Sequence, residues 1–328
     1  MTIAVVGGGS WGTALAIHLA RAGHAVRLWA REPEVVDGIR RERRNPYYLA
    51  DVRCPAGVTA TPDQGEALDG AEIVLLAVPS EFFAATLKDL PPVGGGVPMV
   101  SAAKGLDPVR HVRMTELIVE RFPGTPVAAL SGPTFAREVA LGLPTACVVA
   151  GDPALTAHLQ GALGTREFRL YTNRDLVGVE IGGALKNVIA IATGLADGLG
   201  LGENARAALI TRGLAEITRL AVAMGAQPAT LAGLAGLGDL VLTCTGSLSR
   251  NRALGLALAR GETRDSVERR TRMVAEGART VASAVALGER HRVALPICAE
   301  VHRVLFAGAP PAEALAALLG RTAGAEDA

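Results

Sequence analysis

The chain opens with the pattern that most limits its fold. "TIAVVGGGSWGTALA", Thr2–Ala16, is a short apolar run, then a glycine cluster, then a segment compatible with a helix. Gly7, Gly9 and Gly12 follow the run directly in the spacing Gly-x-Gly-x-x-Gly. A strand that leaves through such a turn into a helix is the first unit of a doubly wound α/β sheet. The three glycines have separate uses there: a tight turn, close approach of the backbone to a pyrophosphate, and close packing of helix on sheet. The free N–H groups of the helix start then face the anion. A dinucleotide coenzyme is expected.

The alternation continues. Strand-like runs are Ile3–Val6, Ala25–Trp29, Ile73–Val78, Pro98–Ala102, Val127–Leu130, Ala146–Ala150 and Phe168–Tyr171. Several are continuously apolar, as strands buried on both faces of a parallel sheet must be. Helical segments Thr13–Ala22, Ser80–Asp89 and Val109–Arg121 lie between them. Residues 1–175 are therefore predicted to form a Rossmann-like, doubly wound, mostly parallel domain. From Leu176 strand candidates vanish, and Ala/Leu/Arg-rich segments punctuated by "GAQP", "GLGD", "ALP" and "GAPP" follow. Residues 176–328 are predicted to be an all-helical substrate and catalytic domain, with helices at Val177–Leu195, Asn204–Met224, Pro228–Ala235, Arg250–Ala259, Ser266–Leu287, Pro296–Phe306 and Pro311–Leu319.

Composition narrows the function classes. A formal charge of +1 gives no general attraction to nucleic acid or anionic membrane. The cluster "IRRERRN", Ile39–Asn45, reads as a solvated helix end, with a phosphate patch as the alternative. Four widely separated cysteines and six scattered histidines indicate neither a disulfide framework nor a metal site. The first strand begins at Thr2, which leaves no room for a signal peptide. No run of about twenty apolar residues lacks a charge or a Gly/Pro break, so no membrane span is expected. The expected location is the cytoplasm.

The end of the second strand reports on the coenzyme ribose. An acid there accepts from a 2′-hydroxyl, whereas an arginine suits a 2′-phosphate. This chain reads "LWARE", with Arg31 in the acid's place and Glu32 next. Arg31 can pair a phosphate bidentately, so NADPH is expected ahead of NADH, unless Arg31 is only a surface residue. Trp11 in the glycine loop is either a hydrophobic plug or a wall against the coenzyme. "AVPS" (Ala77–Ser80), "SAAKGL" (Ser101–Leu106) and "SGPTFARE" (Ser131–Glu138) fall where an α/β sheet places its ligands. Lys104 there reads as a ligand contact.

Of the 33 basic residues only three are lysines, yet Lys186 sits in the apolar stretch Val177–Gly200. A helical side chain leans toward the N-terminus, here over Gly182 and Gly183, which suggests space for a ligand. Glu180 is six residues away and about 120° around the helix at ~100° per residue, so it is no i,i+4 partner. A buried lysine must neutralise or meet a counter-group; the alternative is a surface lysine at a helix edge. In "GLGDLVLTCTGSLSRN", Gly236–Asn251, Asp239 is followed by Thr243, Thr245, Ser247, Ser249, Arg250 and Asn251. Hydroxyls and an arginine at a helix start suit a small phosphate, although an ordinary capped helix reads the same way.

These residues carry a resemblance. "GGGSWGTALA", "SAAKGL", "SGPTFARE", "GLPTA", "GGALKNVIAIATGLADGLGLGENARAALITRGLAE", "GLGDLVLTCTGSLSRNRALG" and "VAEGART" resemble, in order and over nearly the whole chain, the motifs of bacterial NAD(P)-dependent glycerol-3-phosphate dehydrogenase. The resemblance implies reduction of dihydroxyacetone phosphate to sn-glycerol 3-phosphate for glycerophospholipid synthesis, with NADPH or NADH, and a homodimer. It implies coenzyme contacts from Gly7, Gly9, Gly12, Ser10, Trp11, Arg31, Tyr48, Lys104 and Ala136, closed by Arg250, Val274 and Glu276. Around the substrate it implies Lys104, Gly132, Thr134, Lys186, Asp239, Ser249, Arg250 and Asn251, with Lys186 as proton donor and acceptor beside Lys104 and Asp239. Gly8 departs from the Ala often found in the family, a loss of one methyl. Two other readings stay open: a different hydroxyacid-type dehydrogenase, and a non-catalytic nucleotide-sensing Rossmann protein.

Overall fold

The structure, a computed structural model, describes residues 1–270 and 275–321. The ten strands in it are β1 (Thr2–Val6), β2 (Ala25–Trp29), β3 (Arg44–Asn45), β4 (Leu49–Arg53), β5 (Val58–Thr61), β6 (Ile73–Leu76), β7 (Met99–Ser101), β8 (Val127–Ser131), β9 (Thr145–Gly151) and β10 (Phe168–Asn173). Eight form one sheet in the order β10-β9-β8-β7-β6-β1-β2-β5, and β3 pairs with β4 in a small antiparallel hairpin. Every pair in the large sheet is parallel except β8 with β9. The order β5-β2-β1-β6-β7-β8 reverses direction of travel between β1 and β6, which opens a crevice at the carboxyl ends of those two strands.

The helices of this half are α1 (Ser10–Arg21), α2 (Pro33–Asp37), α3 (Gln64–Leu68), α4 (Ser80–Asp89), α5 (Met114–Arg121), α6 (Ala136–Leu141) and α7 (Pro153–Leu163). Two apolar clusters, one on each face of the sheet, bury the runs of β1 and β6 completely. The expected helix Val109–Arg121 begins only at Met114, because the Asp107 carboxylate accepts from Val109 N and Arg110 N and holds a turn first. The arginine cluster closes a helical turn with Arg40, Arg41 and Arg44 exposed, as a solvated helix end should, and some of its arginines also tie that end down. Arg40 donates to Ala60 O and Arg43 to Cys54 O and Val58 O, which lashes a π-helical turn (Gly38–Glu42) and the chain after it to β5, while Arg44 donates to Ala50 O across the hairpin.

The second half holds α8 (Leu176–Gly198), α9 (Gly202–Ala223), α10 (Pro228–Leu231), α11 (Asp239–Thr245), α12 (Arg250–Ala259), α13 (Arg264–Arg270), α14 (Glu276–His291), α15 (Pro296–Phe306) and α16 (Pro311–Leu319). The expected single helix Ser266–Leu287 is broken at Ala275, the extended N-cap residue of α14, and residues 271–274 of it lie outside the described residues. α8 is the axis, packed on by α9, α11, α12, α14 and α15. It has the length and mean hydropathy (1.5) of a spanning helix, but 89% of its most apolar stretch is buried in the protein. A Cβ on Gly255 of α12 would overlap Ile191 O, and one on Gly194 would overlap Arg252 O, so glycines on both helices let α8 and α12 cross backbone to backbone. That crossing brings the start of α12 to the middle of α8.

Candidate active site

The crevice and the α8 face meet in one cavity of about 750 Å³. Its wall at β1 is the glycine turn. Gly7 has φ +120°, and a Cβ there would stand 2.8 Å from Ala77 O, whereas Gly9 has nothing within 4 Å on its Cβ side. Gly9 is the N-cap of α1 and offers no side chain to the helix start, where the helix end favours an anion. Gly12 lies behind the turn, where a Cβ would overlap Gly7 O. These features fit a dinucleotide pyrophosphate. Ser10, Trp11, Arg31, Tyr48, Lys104, Ala136, Arg250 and Glu276 all line the same cavity. Val274 lies outside the described residues. Trp11 is both plug and wall: its ring packs on the core, its Nε1 donates to Ala102 O at 3.0 Å, and it faces the cavity.

Two lysines converge on Asp239. Lys186, 5% exposed in mid-α8, donates to Asp239 Oδ1 and to Thr243 Oγ1 at 2.8 Å. Lys104, just past β7, donates to Asp239 Oδ2 at 2.8 Å, Gly132 O at 2.7 Å and Thr134 Oγ1 at 2.9 Å. Asp239 itself is 1% exposed and sits behind the lysines at the start of α11, delivered by a π-helical turn (Leu234–Gly238). Gly132 also stays behind the wall. Its φ of +134° turns the carbonyl toward Lys104, and a Cβ would stand 2.8 Å from Cys147 Cα. Burial pushes Lys186 down to about 7, against the pull of Asp239 and with the push of Lys104. A group that is half-protonated near neutral pH, on a cavity wall, can both give and take a proton.

The space expected over Gly182 and Gly183 is filled by protein. A Cβ on Gly182 would lie 2.9 Å from Ala235 O, and one on Gly183 2.5 Å from Ser131 Oγ. These glycines let α8 press against the turn before α11 and the end of β8, which sets Lys186 against its partners. The polar segment after Asp239 also divides. Thr243 serves Lys186, Thr245 bonds back to Val241 O, and Ser249 caps α12 by accepting from Arg252 N. Asn251 donates to Asn187 Oδ1 at 2.8 Å and accepts from Gly277 N at 2.9 Å. Arg250 remains, exposed on the cavity wall.

The roles of three participants were not read from the sequence. Asn187 on α8 donates to Lys104 O at 3.0 Å, linking α8 to the end of β7. Ser80 binds Glu276, donating through Oγ to Oε2 (2.6 Å) and through N to Oε1 (3.2 Å), so the start of α14 is fastened to the start of α4. Thr243 is four residues after Asp239, one turn along a helix whose assignment would have revealed the pair.

Comparison with known proteins agrees along the whole chain. The family model described as NAD-dependent glycerol-3-phosphate dehydrogenase N-terminus matches residues 2–157, and the C-terminus model of the same family matches residues 175–316. The chain belongs to that family. Among curated members of this glycerol-3-phosphate dehydrogenase family, the Rhodospirillum rubrum glycerol-3-phosphate dehydrogenase [NAD(P)+] is 52% identical over 97% of this chain and 92% of its own length. The Koribacter versatilis protein of the same name is 51% identical over 97% of both. A crystal structure of glycerol-3-phosphate dehydrogenase from Coxiella burnetii superposes with a TM-score of 0.93 at 41% identity, covering 98% of this chain and 99% of that one. D-mandelate dehydrogenase shares the fold at 14% identity, with a TM-score of 0.63 over 96% of this chain and 100% of its own.

Proposed function

We propose that the chain catalyses the reversible NAD(P)H-dependent reduction of dihydroxyacetone phosphate to sn-glycerol 3-phosphate, supplying glycerophospholipid synthesis. The observation that carries this reading is the Lys104–Asp239–Lys186 cluster at the end of a cavity that begins at the glycine turn. When bound, the reduced nicotinamide supplies a hydride to the C2 carbonyl. Lys186 stabilises the negative charge that grows on the carbonyl oxygen and gives it a proton. Arginine could not do the second part, because it stays protonated. Asp239 and Thr243 hold the Lys186 Nζ in place while its charge changes. Lys104, fixed by Gly132 and Thr134, keeps a second cation beside the reacting oxygen. Arg250 takes the phosphate, so binding energy remote from the ketone positions it. Ser249 and Asn251 support that phosphate end by fixing the start of α12.

The two domains meet at the Asp175–Leu176 junction: the first carries the glycine turn and contributes Lys104 to the chemistry, and the second supplies Lys186, Asp239 and Arg250. Arg31 favours NADPH over NADH, the chain works in the cytoplasm, and it works as a homodimer. The test is oxidation of NADPH and NADH, side by side, with dihydroxyacetone phosphate, dihydroxyacetone and a β-keto acid. Turnover with dihydroxyacetone phosphate far above the other two is expected. Equal or better turnover of the acid would move the chain to the wider hydroxyacid group, and no turnover with any would leave a nucleotide sensor.

A further inference from the structure

At the carboxyl end of β2 the chain passes through Arg31 and Glu32 into α2. The Arg31 guanidinium lies over the Phe82 ring, 5.2 Å from its centroid, and Phe82 is itself 39% exposed in the cavity. One oxygen of Glu32, Oε1, meets two donors: Arg31 NH2 and the Tyr48 hydroxyl, each at 3.4 Å. The Glu32 side chain is the more enclosed of the pair, 29% exposed against 66% for Arg31. Glu32 is the N-cap residue of α2 yet makes no side-chain cap bond, so the helix does not explain where its carboxylate points.

Both contacts are long beside the ~2.7–2.9 Å of a strong charge-assisted bond, and the ion pair is largely solvated. They are therefore readily exchanged for a ligand. The 2′ position of an adenosine ribose offers two chemistries. A hydroxyl donates, and a carboxylate is its natural acceptor; a phosphate repels the carboxylate and attracts the guanidinium. Here the two reading groups face each other, so neither serves its ligand without releasing the other. We propose that Glu32 sets coenzyme specificity: it accepts the 2′-hydroxyl of NADH and holds Arg31 and Tyr48 back from the 2′-phosphate of NADPH. The chain then uses both coenzymes, and the preference that Arg31 gives for NADPH stays small.

This inference rests on the dehydrogenase reading above, and its test separates the two. Coenzyme binding is titrated by nucleotide fluorescence without substrate, and kcat/KM for NADPH and NADH is measured with dihydroxyacetone phosphate, in the wild type and in Glu32→Gln. The variant keeps the shape and removes the charge, and α2 loses no cap bond. Glu32→Gln is expected to tighten NADPH about 3- to 10-fold and weaken NADH by a similar factor, raising the NADPH:NADH ratio roughly 10- to 100-fold. In an Arg31→Ala background most of the NADPH gain is expected to vanish, because the gain comes from a released guanidinium. A ratio that moves less than twofold in Glu32→Gln, with both coenzymes still bound, overturns the role of Glu32 and leaves the dehydrogenase reading standing. A wild type that binds neither coenzyme overturns both.

Discussion

One carboxylate holds both active-site lysines: Asp239 takes Lys186 on Oδ1 and Lys104 on Oδ2, the latter at 2.8 Å. Two cations against one anion leave the buried cluster one positive charge in excess when both lysines are protonated. A growing alkoxide is the group that would neutralise it. Asp239 also opposes the burial that lowers the Lys186 pKa. In Asp239→Asn that support is gone, so Lys186 loses its proton at a still lower pH. Reduction at neutral pH is expected to fall ~10²-fold or more, as when a buried charge loses its partner. The acid limb of the oxidation profile should move to lower pH. An unmoved limb would show that Asp239 does not set the protonation of Lys186.

Lys186→Met removes the proton donor and is expected to lower kcat by ~10²–10⁴-fold while coenzyme still binds. Lys186→Arg should be nearly as inactive, since charge is kept but proton release is not. In glycerol 3-phosphate oxidation the neutral lysine is the base, so kcat rises through a group near pH 7. In the reduction direction the protonated lysine is the acid, so kcat falls through the same group. Both limbs should vanish in the Met variant. An active Arg variant would pass the acid–base role to Lys104.

Arg250 is the cavity-facing charge of its segment, because Thr243, Ser249 and Asn251 are occupied within the protein. Arg250→Ala is expected to lose a charge-assisted phosphate contact of ~1.5–3 kcal/mol, about 10- to 150-fold in KM for dihydroxyacetone phosphate. The variant should also discriminate less against dihydroxyacetone. KM for the coenzyme is measured alongside, since Arg250 shares the cavity with Glu276. An unchanged preference for the phosphorylated ketone places the phosphate elsewhere.

What the sequence discloses is mostly what neighbours along the chain determine. The glycine turn at Gly7, the apolar runs of β1 and β6, and the limits of α4, α12, α15 and α16 all follow from local pattern. β5, "VTAT", and the hairpin around "NPYY" are short and partly polar, and they gave no strand signal. The helix α11 was hidden because "GLGD" reads as punctuation, although in the fold it forms a π-helical turn. Contacts between distant residues had no local trace: Asn187 and Asn251 are 64 positions apart, Ser80 and Glu276 196 apart. The glycines under Lys186 were legible as a close approach, but whether a ligand or the protein makes that approach is decided only by the packing.

The missing methyl at Gly8 has a structural counterpart. A Cβ on Gly8 would overlap the Ala30 methyl and lie 3.3 Å from Val35 Cγ1. Gly8 O also accepts from Asn45 Nδ2 at 2.8 Å, so a shift here reaches the glycine turn. Gly8→Ala is expected to cost ~1–3 kcal/mol by overpacking and to weaken coenzyme binding. Adding Ala30→Gly should restore most of both losses. Urea denaturation and coenzyme titration of the single and double variants check this, and additive losses would refute the pairing.

Glu216 is a stability determinant remote from the cavity. On α9 it is 2% exposed and accepts from Ile297 N at 2.7 Å and Cys298 N at 3.3 Å, holding the first turn of α15. Burial raises its carboxyl from 4.5 to about 7, against those two N–H groups. The native state therefore holds a proton between pH 4.5 and 7 that the unfolded chain has released. The stability from this residue is full below pH 4.5 and is lost as pH rises through about 7. The loss should be on the order of 3 kcal/mol across that window. Glu216→Gln keeps an acceptor for Ile297 N and cannot ionise, so its stability should fall less than that of the wild type between pH 5 and 8. Glu216→Ala should be less stable at every pH, by ~1–3 kcal/mol, because the N–H groups are left unpaired. Urea unfolding of the three proteins at both pH values measures the slopes. A wild type and a Gln variant with parallel pH dependence would mean that Glu216 is ionised throughout.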